Sequence, residues 1–213
     1  FAPAIAEPEE ALDMLGAAIG DAGYTAGRDG VAIAMDPASS EFRADDGSYV
    51  VCVVRHSSED MIDRYAQMIE KYPVWSLEDG IAQDDWDGLK KLTDRLGDRV
   101  ELVGDDIFCT DPGIITEGIE KGVANAALIK LNQIGSVSET LEAMRICAAA
   151  GYRQFMSHRS GETPDTFIAD LAVATGCGQI KTGAPARGER VAKYNRMLEI
   201  AVAQPNLPYG LGW

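Results

Sequence analysis

Apolar and polar positions alternate along this chain with two periods, and the two take turns. Helical spacing opens the series from Pro8 to about Gly23, where Leu12, Leu15 and Ile19 fall on one face behind a proline suited to a first turn. A strand is predicted at "VAIAMD", and "EFRADDGSYVVCVV" then reads as a hairpin with Asp46-Gly47 as its turn. In "SSEDMIDRYAQMIEKYP" a Ser57/Asp60 capping pattern precedes Met61, Ile62, Tyr65, Met68 and Ile69 at helical spacing, and Pro73 ends the run. The alternation continues as strand "VWSLED", helix "DDWDGLKKLTDRLG", strand "VELVGDD", helix "DPGIITEGIEKG" and strand "ALIKLN". Helix "SETLEAMRICAAAG", strand "RQFMSH", helix "TPDTFIADLAVATG", strand "GQIKTG" and helix "ERVAKYNRMLEIAVA" complete it. No linker or low-complexity segment interrupts the series.

Repeated strand-helix order implies parallel strands joined by right-handed crossovers, in either an open doubly wound sheet or a closed barrel. A dinucleotide-binding sheet would need a glycine-rich turn after its first strand, and "VAIAMDPASS" has no glycine there. The barrel fits better. In a barrel, functional side chains gather from the C-terminal ends of the strands, and the predicted ends carry Asp36, Glu78, Asp105, Lys130, His158 and Lys181. One polar strand end is ordinary, because aspartate is common at helix starts; six in register are not. Three carboxylates on neighbouring strands make an oxygen-rich site suited to Mg²⁺. Two lysines could hold an anion or remove a proton.

Composition sets the outer bounds. With 213 residues, 46% of them hydrophobic, the chain can bury a sizeable core. A formal net charge of −15 argues against general binding to nucleic acid or anionic membranes. No apolar run approaches a membrane span, and no basic-then-apolar leader opens the sequence, so a soluble protein is expected. Cys52, Cys109, Cys147 and Cys177 form no CxxC and are expected to be reduced, mostly buried thiols rather than zinc ligands.

At this point the motifs carry a resemblance. "SLED", "GDD", "LIKLNQIGS", "SHRSGETPDTFIADL" and "GQIKTGAPARGERVAKYN" are similar to the successive strand-end motifs of the enolase family, and "DPASSEF" to its earlier metal-binding strand. The similarity runs from "FAP" at the start to about Leu198. It implies an α/β fold, an enolase-type TIM-like barrel that is incomplete and holds about strands 3 to 8 of 8. Residues 1–213 would form part of the C-terminal catalytic barrel domain, with the N-terminal capping domain and the first two barrel strands absent.

By the same resemblance, Asp36, Glu78 and Asp105 hold Mg²⁺, Lys130 is the general base, and Lys181 faces the substrate carboxylate. His158, Arg159 and Ser160 contact the phosphate end and the hydroxyl of 2-phosphoglycerate, the product being phosphoenolpyruvate. Arginine offers a phosphate a two-pronged fork, and Gly161 permits close backbone approach. Such chemistry needs cations, because abstracting a proton beside a carboxylate makes a doubly charged enolate. His56 lacks such neighbours and is expected at the surface, at a strand-to-helix junction. The family also implies a cytoplasmic homodimer when complete; the sequence itself shows no evident nucleic-acid or membrane binding.

The family's Gly-Asp-Glu-Gly-Gly acid and its mobile serine loop belong to the missing part, so this chain alone is expected to be inactive. Gly80 replaces a proline, Gln83 an acidic residue and Asp111 an asparagine, and the tail "EIAVAQPNLPYGLGW" differs from the usual Glu-rich helix. Two other readings stay open at this stage: another proton-abstracting relative, and a non-catalytic enolase-like chain acting through surface contacts.

Overall fold

The computed structural model describes residues 3–210. Phe1 and Ala2 of the "FAP" match, and residues 211–213 of the tail, lie outside them. The chain divides into two compact units, residues 3–107 with 121–125, and residues 108–120 with 126–210.

The first unit contains α1 (Pro8–Asp21), β1 (Ile33–Met35), a 3₁₀ turn (Ser39–Phe42), β2 (Tyr49–Val51), β3 (Val54–His56), α2 (Ser58–Lys71), β4 (Val74–Glu78), α3 (Trp86–Leu96) and β5 (Glu101–Gly104). Strands β1, β4 and β5 pair in parallel, Met35 opposite Leu77 and Glu78 opposite Val103. Helix α2 forms where the spacing places it. Ser57 and Asp60 make the reciprocal capping box, and Met61, Ile62, Tyr65 and Met68 are buried. Helix α3 starts on Asp85, whose carboxylate accepts the Gly88 N–H, and it buries Leu89, Leu92 and Leu96. Asn125 ties the following turn together. Its side chain accepts the Leu102 N–H at 2.7 Å and donates to the carbonyls of Gly97 and Val100.

Two expectations change here. The antiparallel hairpin pairs Tyr49–Val51 with Val54–His56 and turns at Cys52-Val53, both in left-handed conformation, rather than at Asp46-Gly47. Asp46-Gly47 does turn, one step earlier, closed by the Ala44 N–H on the Ser48 carbonyl and by a bridge from Arg43 to Tyr49. Along α1 only Leu12 is buried, and Leu15 is 49% exposed.

The second unit contains α4 (Pro112–Lys121) except its last residue, β6 (Ala126–Ile129), a single turn α5 (Leu131–Ile134), α6 (Val137–Ala149), β7 (Arg153–Ser157), α7 (Phe167–Thr175), β8 (Gly178–Lys181) and α8 (Gly188–Ala203). Strands β6, β7 and β8 pair in parallel, Ile129 opposite Met156 and Ser157 opposite Lys181. Every residue of β6 is buried, which accounts for a strand sequence without polar alternation. The strand predicted through Asn132 ends at Ile129, and α5 follows at once. Helix α7 begins at Phe167, later than predicted. The Thr163 carbonyl is taken by Lys193 Nζ at 2.6 Å, and Asp165 accepts the Phe167 N–H at 2.9 Å.

Four free thiols are present; Cys147 and Cys177 are buried, Cys52 is half-buried and Cys109 exposed, so half rather than most are buried. Among the described residues, no helix is long and apolar enough to cross a membrane.

Candidate functional site

In the first unit, Asp36 follows the last residue of β1, Glu78 is the last residue of β4, and Asp105 follows β5. Glu78 and Asp105 are buried, whereas Asp36 is exposed and accepts the Ala38 N–H at 3.2 Å. Among the described residues, the acidic oxygens that lie within 4.8 Å of one another belong to Asp79, Asp105 and Asp106, a group that contains one of the three predicted ligands. Asp79 was not anticipated. Its backbone is left-handed at φ 44°, and its carboxylate accepts the N–H of Asp105 at 3.0 Å and of Asp106 at 2.9 Å.

This carboxylate therefore brackets the turn that carries Asp105. Burial pushes its pKa up to about 7, against the two backbone hydrogen bonds, and the charges of Asp105 and Asp106 add to the rise. A hard divalent cation suits such a place, because the donor set is all oxygen and the local charge is negative. On that test the Asp79, Asp105 and Asp106 carboxylates fit a divalent cation.

In the second unit, Lys130 follows β6 and caps the short turn α5. Its backbone is held by buried Thr110, whose Oγ1 accepts the Lys130 N–H at 2.9 Å and donates to Gln133 Oε1 at 3.1 Å. Thr110 and its neighbour Cys109 are both left-handed, at φ 57° and 47°. Non-glycine residues in that region cost free energy and recur at functional sites. Lys181 ends β8, and the His158 N–H donates to its carbonyl at 3.0 Å, so these two strand ends are locked in register.

The loop "HRSGET" folds over two buried cations from α8. Arg190 is 7% exposed and Lys193 1%. The Arg190 guanidinium donates to the carbonyls of Arg159 at 2.7 Å and Ser160 at 2.9 Å, and Nη1 lies 2.6 Å from His158 Nδ1. Lys193 Nζ donates to Glu162 at 2.7 Å and to the carbonyls of Thr163 and Glu189. Glu162 in turn accepts the Arg159 N–H at 3.0 Å.

His158 is half-buried, Arg159 likewise, and Ser160 exposed. Burial, then the Arg190 charge, hold the His158 imidazole below its ordinary 6.5, with Glu162 pulling the other way. The half-buried His158 ring is packed against Arg190. His56, by contrast, ends β3 immediately before α2 and is part-exposed, as expected.

Sequence reasoning missed Asp79, Thr110, Glu162, Arg190 and Lys193. A signal existed for the last two: they sit three apart in α8, where a helix presents one face. Of the departures noted, Asp111 is accommodated, since its Oδ1 accepts the N–H groups of Gly113 and Ile114 at the start of α4, which an asparagine oxygen could also do. Gly80 is close-packed; a β-carbon there would lie 2.8 Å from Leu77 Cδ2.

Comparison with known proteins agrees with the motifs. A family model described as the enolase C-terminal TIM barrel domain matches residues 1–205. Three curated relatives, each named enolase, align with 94% of this chain. Those from Corynebacterium kroppenstedtii and Sulfurimonas denitrificans are 54% identical, and that from Acidothermus cellulolyticus is 56% identical. The aligned regions cover 47%, 48% and 46% of those proteins, so the chain spans about half the length of the relatives it matches. The barrel reading is borne out. Three parallel strands in each unit account for six of the eight in such a fold, an incomplete barrel.

Proposed function

The chain belongs to the family of enolase C-terminal TIM barrel domains, and we propose on that basis that it carries most of the catalytic barrel of an enzyme that reversibly dehydrates 2-phosphoglycerate to phosphoenolpyruvate. The observation that carries the reading is positional. Asp36, Glu78, Asp105, Lys130, His158 and Lys181 each end a parallel strand or directly follow one.

Asp36, Glu78 and Asp105 would hold Mg²⁺, with Asp79 keeping the Asp105 turn in place. Bound Mg²⁺ supplies stabilisation of the negative charge that grows on the substrate carboxylate. Lys130, in its neutral form, takes the C2 proton onto Nζ. Its strand end is held by a buried threonine rather than by solvent-exposed loop, which suits a base that must meet one carbon. Lys181 faces the substrate carboxylate, while His158, Arg159 and Ser160 receive the phosphate end and the hydroxyl. The C3 hydroxyl leaves as water once an acid from the rest of the enzyme protonates it. The complete protein is proposed to be a cytoplasmic homodimer.

Magnesium binding tests the metal part without an activity assay. Calorimetric titration of the full chain with MgCl₂ should show binding that Asp105→Ala removes. Equal binding by both would contradict the assignment.

A further inference from the structure

The contact between Arg190 and His158 has only one chemical solution. Arg190 Nη1 and His158 Nδ1 are 2.6 Å apart, so one of them donates. A guanidinium has five N–H donors, no acceptor, and keeps its charge throughout the accessible pH range. Nδ1 is therefore the acceptor and bears no proton. Turning the ring over would set a carbon against a guanidinium N–H at the same distance.

Nor is the guanidinium free to swing aside. It is buried, and moving it would strip the Arg159 and Ser160 carbonyls of their donors. Behind the pair lies Gly183, at φ +89°; a β-carbon there would sit 3.0 Å from Arg190 Cδ and 3.2 Å from His158 Cε1. Tyr194 donates its hydroxyl to the Gly183 carbonyl, holding that backbone against the ring.

We infer that Arg190 is a positioning residue that fixes His158 as a neutral ring with its one proton on Nε2, so that His158 acts as a hydrogen-bond donor to an anionic ligand oxygen and not as a proton acceptor. The donor half rests on the proposed function, in which residues 158–160 receive a phosphate. The tautomer half does not. The charges around the ring work in the same direction. Burial, Arg190, Lys181 and Lys193 disfavour the imidazolium, and Glu162, which favours it, is itself paired with Lys193. Arg190 touches the ring nitrogen itself, which makes it the residue that selects the tautomer.

The chain has two histidines, which makes the test direct. Long-range proton–nitrogen spectra of ¹⁵N-histidine-labelled full chain at neutral pH should show His158 protonated on Nε2 and bare on Nδ1, with a titration midpoint below 6.5. In Arg190→Met the midpoint should rise and the two tautomers should mix; Arg190→Lys, which keeps a charged donor, should restore part of both signatures. A proton on Nδ1 in the parent chain overturns the inference. So does a tautomer and midpoint unchanged in a folded Arg190→Met, and should that variant fail to fold, the parent spectrum and Arg190→Lys decide. Adding inorganic phosphate should shift the Nε2–H resonance. An Nε2–H ring that ignores phosphate would uphold the role of Arg190 and overturn the phosphate-facing reading instead.

Discussion

Asp79 holds two backbone N–H groups from a single buried carboxylate, and its replacement is correspondingly specific. Asp79→Asn keeps the size but turns an NH₂ toward one of those N–H groups, leaving a buried donor without an acceptor. It should cost about 1–3 kcal/mol, read as a lowered urea midpoint, and should weaken Mg²⁺ binding by loosening Asp105. An unchanged midpoint would remove Asp79 from the account. At His158 the sign of the pH effect follows from its lowered pKa. The unfolded chain takes up the proton first as pH falls from 6.5, so the contribution of this ring to stability is complete above 6.5 and is lost as pH drops through the folded value. Urea unfolding across that window, taken as the difference between the parent and His158→Asn, should show stability rising with pH; a flat or falling difference would contradict it. The six strand-end residues were legible because a strand end is legible. Asp79 was not, because the Asp105 and Asp106 N–H groups, brought in from another segment, create its role.

Helices announced themselves wherever caps and apolar spacing agreed. The Ser57/Asp60 box is present as predicted, and Ser57→Ala should lower stability by about 1 kcal/mol, measurable by chemical denaturation; no change would mean that solvent or Asp60 replaces the lost cap. Turn chemistry misled where the structure uses strained residues. Asp46-Gly47 is the stronger hairpin signal, yet the strands reverse at Cys52-Val53, two residues with no intrinsic liking for left-handed backbone. The one-turn α5 was hidden inside "LIKLNQ" because four residues are too few to show a period. Packing also leaves marks at element scale. A β-carbon on Gly118 of α4 would fall within contact distance of the fully buried Phe108 ring, so Gly118→Ala should destabilise the chain by about 1–3 kcal/mol, visible as a lowered urea midpoint. A midpoint equal to the parent would show that the ring can move aside.

For the molecule as a whole, periodicity gave strand-helix alternation and left a barrel and a doubly wound sheet both open. The missing glycine-rich turn favoured the barrel, and the ordered motifs from "DPASSEF" to "GQIKTG" tied it to one family, to which the chain belongs. The central claim is that these strand ends are the working half of an enolase site. Its most direct test joins this chain to the amino-terminal part of the Corynebacterium kroppenstedtii relative and follows phosphoenolpyruvate formation from 2-phosphoglycerate by ultraviolet absorbance, with and without Mg²⁺, for the parent and for Lys130→Ala. The account predicts Mg²⁺-dependent turnover that Lys130→Ala lowers by about a hundredfold or more while Mg²⁺ still binds. A folded chimaera that makes no phosphoenolpyruvate, or one in which Lys130→Ala turns over as fast as the parent, would contradict it.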